Sequence, residues 1–329
     1  MNSTLSKAFK ILRFPLALLV VYIHIDQVPG ESFREALIQQ NWYMMCNIFI
    51  AQVIARLAVP CFFFMSGFLF FTNVDTFTYS VYKSKMIRRI PSLIIPYLIW
   101  NVLAALYLFA IGNVKPDQIN LEWLFLKPAN FPMWFIRDMI MLQICTPVIY
   151  LIIHTLKYLS IFILALMYIA NMIGDNIAFF AFGTYVGIWK YSQLGCVNII
   201  VKISQYMGGA TALYKMIYYG MDYLYAIHRI YLICGTISFI YAAIWVTKRK
   251  RYLADALVAL APTSFFIYAI HRIGVTAVSK QILFFIPSSV WGQTFKFLVC
   301  PVITVFICVA LYWGLKQFAP RLLRILCGR

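Results

Sequence analysis

Acidic side chains are scarce in this sequence. Only 10 Asp and Glu stand among 329 residues, against 28 Lys and Arg, and all charged residues together make up 12%. That is about half the share a water-soluble domain carries. Such a chain has too little polar surface to cover itself in water, which excludes a soluble globular enzyme. Low-complexity tracts and internal repeats are absent, and the composition excludes disorder and a collagen. No C-x-x-C pair occurs. The eight cysteines, at 46, 61, 145, 196, 234, 300, 308 and 327, are scattered and lie mostly inside apolar stretches. That spacing excludes a secreted disulfide scaffold and predicts small buried hydrophobes and no metal site.

What abounds is apolar: 63% of residues are hydrophobic and 18% aromatic. A helical crossing takes about 20 apolar residues, so ten crossings take roughly 200 and leave short loops. The runs predict ten spans, at about 9–28, 47–71, 90–111, 133–153, 158–174, 177–189, 195–213, 229–247, 256–278 and 296–316. This is an all-α, polytopic membrane bundle filling one domain, 1–329. The formal charge of +18 falls in short clusters between apolar runs. It is therefore read as a topology signal and not as a nucleic-acid footprint. With the N-terminus inside, 17 cations fall on the inner side and 7 on the outer, and both termini are cytoplasmic. No small-x-small cleavage site follows His24, so the first span is expected to stay as a permanent helix.

Ionisable residues inside spans are costly and mark function by default. Arg13 and His24 are 11 residues apart, which brings them within about 20° of the same helix face and about 16 Å along the axis. Ala17 and Val20 lie on the stripe between them. Arg13 alone is equally an interfacial anchor, and His24 alone a packed histidine. Asp26 points about 200° away from His24 and is a poor partner for it. Arg56 enters the second span to the depth of His24 and reads either as a bundle-ordering ion or as an anion binder. Ser66-Gly67 reads as a helix-packing spot. The loop Lys83-Ser84-Lys85-Met86-Ile87-Arg88-Arg89 holds four cations and no acid, which suits lipid headgroups or the phosphates of a nucleotide donor. Trp134, Arg137 and Asp138 form either a belt tryptophan with a local ion pair or the lip of an outward-facing site. His271 lies toward the outer end of the ninth span. His154 and His228 read as interfacial.

Taken together these segments resemble the acyltransferase 3 family of integral membrane acyltransferases. Arg13 and His24 match its Arg-x10-His signature. Arg56 with Val59-Pro60-Cys61-Phe62-Phe63 and Met65-Ser66-Gly67 is similar to its second segment. Arg88-Arg89 with Ile95-Pro96-Tyr97-Leu98-Ile99-Trp100 resembles its basic loop and following helix, and Trp134-Phe135 and Phe265-Phe266-Ile267-Tyr268 with His271 match later landmarks. The sequence departs in having Lys85 where some members have arginine. It also shows no counterpart of the periplasmic esterase-like domain fused to some relatives.

The resemblance implies transfer of an acyl group, most often acetyl, from cytosolic acyl-CoA to a hydroxyl of surface or exported carbohydrate, in a bacterial inner membrane. In that reading Arg13, Lys85, Arg88 and Arg89 hold the donor phosphates, and the pantetheine arm follows the Ala17/Val20 strip. His24 is the general base and Arg56 steadies the oxyanion. Trp134, Arg137, Asp138 and His271 line the acceptor side. An acyl-histidine relay is a variant. The expected partners are the bilayer, acyl-CoA and a carbohydrate, with no nucleic acid. The rival classes are a multi-span transporter of a polar substrate and a non-catalytic scaffold.

Overall fold

The computed structural model describes residues 3–25, 33–115, 122, 125–189, 197–219 and 225–328. Asp26, Lys190, Cys196 and Arg329 fall outside these residues. Among the described residues the regular structure is helical, with no strand. The helices are α1 (Ser3–Ile25), α2 (Trp42–Phe71), α3 (Tyr79–Ala110), α4 (Trp134–Ile144), α5 (Thr146–Leu156), α6 (Tyr158–Ile169), α7 (Asp175–Ile188), α8 (Val197–Ile217), α9 (Tyr225–Arg249), α10 (Arg251–Ile282), α11 (Val290–Phe318) and α12 (Pro320–Leu326). A short helix, Phe33–Ile38, precedes α2.

Six of these are long and apolar enough to cross a membrane: α1, α2, α3, α9, α10 and α11. A seventh crossing is possible if α4 and α5, which meet at 59°, form one broken span. The break has a local cause. Pro147 has no N–H to give and disfavours a helical residue before it, and the Thr146 hydroxyl bonds back to the Gln143 carbonyl at 2.7 Å. The expected spans over 158–174 and 177–189 correspond to α6 and α7, of 12 and 14 residues. These rise only about 18 and 21 Å against a hydrocarbon core of about 30 Å. The expected span over 195–213 corresponds to α8, which has the length but not the apolarity of a crossing.

Helix α1 runs along α9, α10 and α11. Two contacts fix its direction relative to α10. Near the start of both helices, Lys7 Nζ meets Asp255 Oδ1 at 2.6 Å. Near their ends the rings of His24 and His271 stack with centroids 5.3 Å apart. The two helices therefore run parallel.

Two breaks in helical regularity occur where polar residues must be re-aimed. Along α2, a π segment over Ile48–Val53 and a 3-10 turn over Ile54–Leu57 precede Pro60. Pro60 cannot donate to the carbonyl of Arg56, so the turn bearing that arginine is not held in the regular ladder. Along α10, the helix breaks at Ile273 and Gly274 directly after His271 and Arg272. Gly274 has φ +81°, a left-handed conformation glycine adopts without penalty.

The α2–α7 pair packs backbone against backbone. A Cβ added at Gly67 would lie 2.0 Å from the Phe180 carbonyl oxygen, and one added at Gly183 would lie 2.0 Å from that of Phe64. Nine residues of α7 are buried, including Phe179, Phe180 and Phe182. The short helix is thus an interior element, wrapped by longer ones. Ser66-Gly67 is indeed a packing spot: the Ser66 hydroxyl accepts from the Gln143 side chain, at 3.2 Å.

Candidate active site

The two ends of the bundle differ in chemistry. At one end Phe9 of α1 meets Phe68 edge-on at 5.2 Å. On the same end of α2, Lys85 Nζ lies 5.1 Å from the centre of the Phe70 ring and the Arg89 guanidinium 6.0 Å from it. The basic segment expected as a loop is helical: Tyr79–Arg89 opens α3, with Thr78 as its N-cap. Lys85 and Arg89 are four residues apart and share one face over Phe70, whereas Arg88 is exposed. Arg13 stands one turn beyond Phe9 and is exposed. The Ala17/Val20 strip between Arg13 and His24 is not an open track. Both side chains are buried, Ala17 against α10 and α11 residues and Val20 in the main core.

At the opposite end, His24 is in the last turn of α1. Its ring stacks on His271 with an interplanar angle of 28° and meets Phe131 edge-on at 5.9 Å. Among the described residues no hydrogen-bond partner meets its ring nitrogens. His271 is fully buried. Its Nδ1 lies 3.1 Å from the Ile267 carbonyl and 2.9 Å from that of Tyr268. Two acceptors on one nitrogen assign the proton to Nδ1 and leave Nε2 as a bare acceptor. That Nε2 is buried and has no hydrogen-bond partner among the described residues. Arg56 is within electrostatic reach of His24, as are His271 and Arg272. Its guanidinium also donates to Gln52 Oε1 at 3.1 and 2.6 Å. This end thus gathers His24, Arg56 and His271, expected separately from the sequence.

Residues that sequence reasoning passed over build the wall of this site. Phe131, 56% exposed, holds the His24 ring at its edge and the Arg272 guanidinium 5.6 Å from its centroid. Its turn is pinned from behind. Asn130 N donates to Asn101 Oδ1 at 3.2 Å, Asn130 Nδ2 donates to the Ala269 carbonyl at 2.8 Å, and the Tyr268 hydroxyl donates to the Pro132 carbonyl. Asn130 Oδ1 is a second buried acceptor in this region without a partner among the described residues. The signals were present: a polar residue between Pro128 and Pro132, and a lone Asn101 in an apolar helix.

Trp134, Arg137 and Asp138 stand apart, and among the described residues Arg137 and Asp138 make no contact with His24. Arg137 pairs with Asp138 through Nε and Nη2 at 2.9 and 2.7 Å and donates to the Leu126 carbonyl at 2.5 Å. Asp138 also accepts from Asn176 of α7 at 2.8 Å. Trp134 packs on Phe63 with centroids 6.4 Å apart. This is a closed pair that ties α4 to α7. Among the described residues no cluster of His, Cys, Asp and Glu fits a metal ion.

A family model described as an acyltransferase domain matches residues 6–313. The chain is also similar to the succinoglycan biosynthesis protein ExoH of Rhizobium meliloti (strain 1021), at 26% identity over 221 residues. That match takes in 60% of this chain and 57% of the relative, so the chain spans little more than half the length of that protein. No solved structure matches the chain.

Proposed function

From the premise that this chain belongs to the acyltransferase 3 family and is an acyltransferase, we propose that it moves an acyl group, acetyl in the first instance, from cytosolic acyl-CoA to a hydroxyl of a surface or exported glycan. The observation that carries the proposal is the His24–His271 stack with Arg56 in reach, at the end of the bundle opposite the Lys85/Arg89 cations. Arg13, Lys85, Arg88 and Arg89 take the donor phosphates at the cytoplasmic face. His24 removes the acceptor's hydroxyl proton, the hydroxyl oxygen attacks the thioester carbonyl, and the CoA thiolate leaves. Arg56 faces the oxyanion of the tetrahedral intermediate. His271 Nε2, held as an acceptor, takes a hydrogen bond from a second hydroxyl of the sugar and sets its angle of approach. Trp134, Arg137 and Asp138 keep the α4 wall of the acceptor side in place.

The test is acyl-CoA turnover by purified protein. Wild type should release CoA thiol and label an acceptor glycan, and Arg13→Ala should weaken donor binding while remaining monodisperse. Arg13→Lys should recover only part of it, since lysine lacks the bidentate fork. Absence of thioester consumption by wild type would leave the transporter or scaffold readings. Mass spectrometry of surface glycans from cells with and without the gene identifies the acceptor.

The proposal places the chain in a bacterial inner membrane with ten crossings and both termini cytoplasmic. The parallel run of α1 and α10 supports an odd rank for α10 among the crossings. Ten spans make it ninth and six make it fifth, whereas seven would make it sixth and antiparallel to α1. Reporter fusions decide. Those after residues 80, 157 and 250 should read cytoplasmic and those near 120 and 285 external. An external reading at 157 would take α4–α5 out of the crossings and end the ten-span count, and a cytoplasmic one at 120 would end the arrangement altogether.

A further inference from the structure

We propose that Lys215 and His228, packed on Tyr231, form a subsite for an anionic group on the acceptor, the carboxylate of a uronic acid or a sugar phosphate, beside the His24 centre. The inference rests on the acyl-transfer reading for its place in the reaction and on its own geometry for the ligand.

Lys215, in the last turn of α8, is only 4% exposed. A lysine at a membrane boundary ordinarily extends its ammonium to water. This one is folded inward, with Nζ 5.2 Å from the centre of the Tyr231 ring. The His228 ring stacks on the same Tyr231, centroids 6.3 Å apart. The Tyr231 hydroxyl donates to the Val53 carbonyl at 2.7 Å, three residues before Arg56. One turn further along α9, Gly235 lets Leu57 come so close that an added Cβ would lie 2.5 Å from Leu57 Cδ2. Lys215 and His228 are thus assembled around one ring by α8 and α9, the ring is tied to the α2 turn that precedes Arg56, and Arg56 is within electrostatic reach of both groups and of His24.

The charge balance points to a ligand. Among the described residues no carboxylate lies within 4 Å of Lys215 Nζ. The acid in electrostatic reach, Asp175, is engaged elsewhere: it accepts from the Tyr168 hydroxyl at 2.9 Å and faces Arg229 at 3.8 Å. Arg229 is itself committed to the Ile173 carbonyl and Asn171. The end of α8 offers Lys215 the partial negative charge of its last carbonyls, which offsets only part of the cost of burying an ammonium. An anion entering against Tyr231 completes the pairing. Lys215 and His228 then hold the acceptor's acid while its hydroxyl faces His24, and Arg56, in reach of both, stays on the oxyanion.

The test uses the purified full chain in detergent, as wild type, Lys215→Met and Lys215→Arg. With no sugar present, Lys215→Met should melt higher than wild type, because an uncompensated charge is exchanged for an apolar chain of similar volume. Glucuronate or glucose 6-phosphate should raise the melting temperature of wild type, and glucose should not. The stronger of the two identifies carboxylate or phosphate as the anion. Lys215→Met should lose about tenfold or more in affinity for that sugar, and Lys215→Arg should keep part of it. Equal response of wild type to glucose and to both acidic sugars overturns the subsite. So does wild-type affinity in Lys215→Met, or a Lys215→Met protein that melts lower or fails to fold. Acceptor-free release of CoA thiol by wild type is measured in parallel. Its absence defeats the acyl-transfer reading and leaves the anion result to stand or fall by itself.

Discussion

Purified His24→Gln and His24→Ala should each lose acyl transfer by about 10²–10⁴-fold per folded molecule, the range general-base catalysis contributes. Three observations converge on this residue. It shares a helix face with Arg13, 11 positions away. It lies in the last turn of a membrane-crossing helix, and its ring is clamped between His271 and Phe131 without a hydrogen-bond partner among the described residues. A histidine that only packed would be expected to find a partner for at least one ring nitrogen. Here the ring is positioned by aromatic contact alone and its nitrogens remain available. Expression and monodispersity of both variants should stay near wild type, because stacking survives partly in glutamine and the neighbours are held independently by Asn130 and the Ile267 and Tyr268 carbonyls. Near-native specific activity in either variant would return His24 to a structural role and remove the proposed mechanism with it.

Gly183→Ala should be strongly destabilising for a single added methyl group. Its new Cβ would stand 2.0 Å from the Phe64 carbonyl oxygen and 2.9 Å from the Phe68 nitrogen, both backbone atoms of α2. Neither can swing aside as a side chain would, so the helices themselves must part. Overpacking typically costs about 1–3 kcal/mol, and a backbone clash belongs at the upper end or beyond. Gly314→Ala is the matched control, since nothing lies within 4 Å of the Cβ it would gain. It should be neutral or gain up to about 1 kcal/mol from helix propensity. Size-exclusion profiles and melting curves compare the two. If Gly183→Ala melts with Gly314→Ala, the close α2–α7 contact does not exist as described.

How far the sequence could be read depends on which physical signal each element sends. Long apolar runs announce themselves, and α1, α2, α3, α9, α10 and α11 lie where hydropathy puts them. Helix α7 is apolar too, but it is short and enclosed by protein, whereas the equally short α6 exposes Leu159, Phe162 and Leu166, and composition does not separate enclosure in protein from enclosure in lipid. The Gly183-x-x-x-Gly187 spacing on α7 was a legible sign of close helix contact. In the site, residues on one helix could be related by angular phase, which joined Arg13 to His24. The approach of His271 to His24, or of Lys215 to Tyr231, spans elements far apart in the chain and is set by packing that no local pattern encodes. The Lys85–Arg89 segment was mistaken for a loop because charge density hides helix propensity, although lysine and arginine are good helix formers.

The parallel pairing of α1 with α10 also bears on how the molecule is made. Lys7 and Asp255 are separated by 248 positions. A ribosome adding about 5–20 residues per second needs roughly 12–50 s to cover that stretch. For that interval α1 resides in the bilayer with its histidine and arginine already inserted and their final neighbours not yet synthesised. A chaperoning partner, or provisional packing of α1 on α2 through Phe9 and Phe68, must shelter those groups until α10 arrives. Ribosome-bound chains truncated before residue 251 are the species in which that holding arrangement can be trapped by crosslinking from position 24.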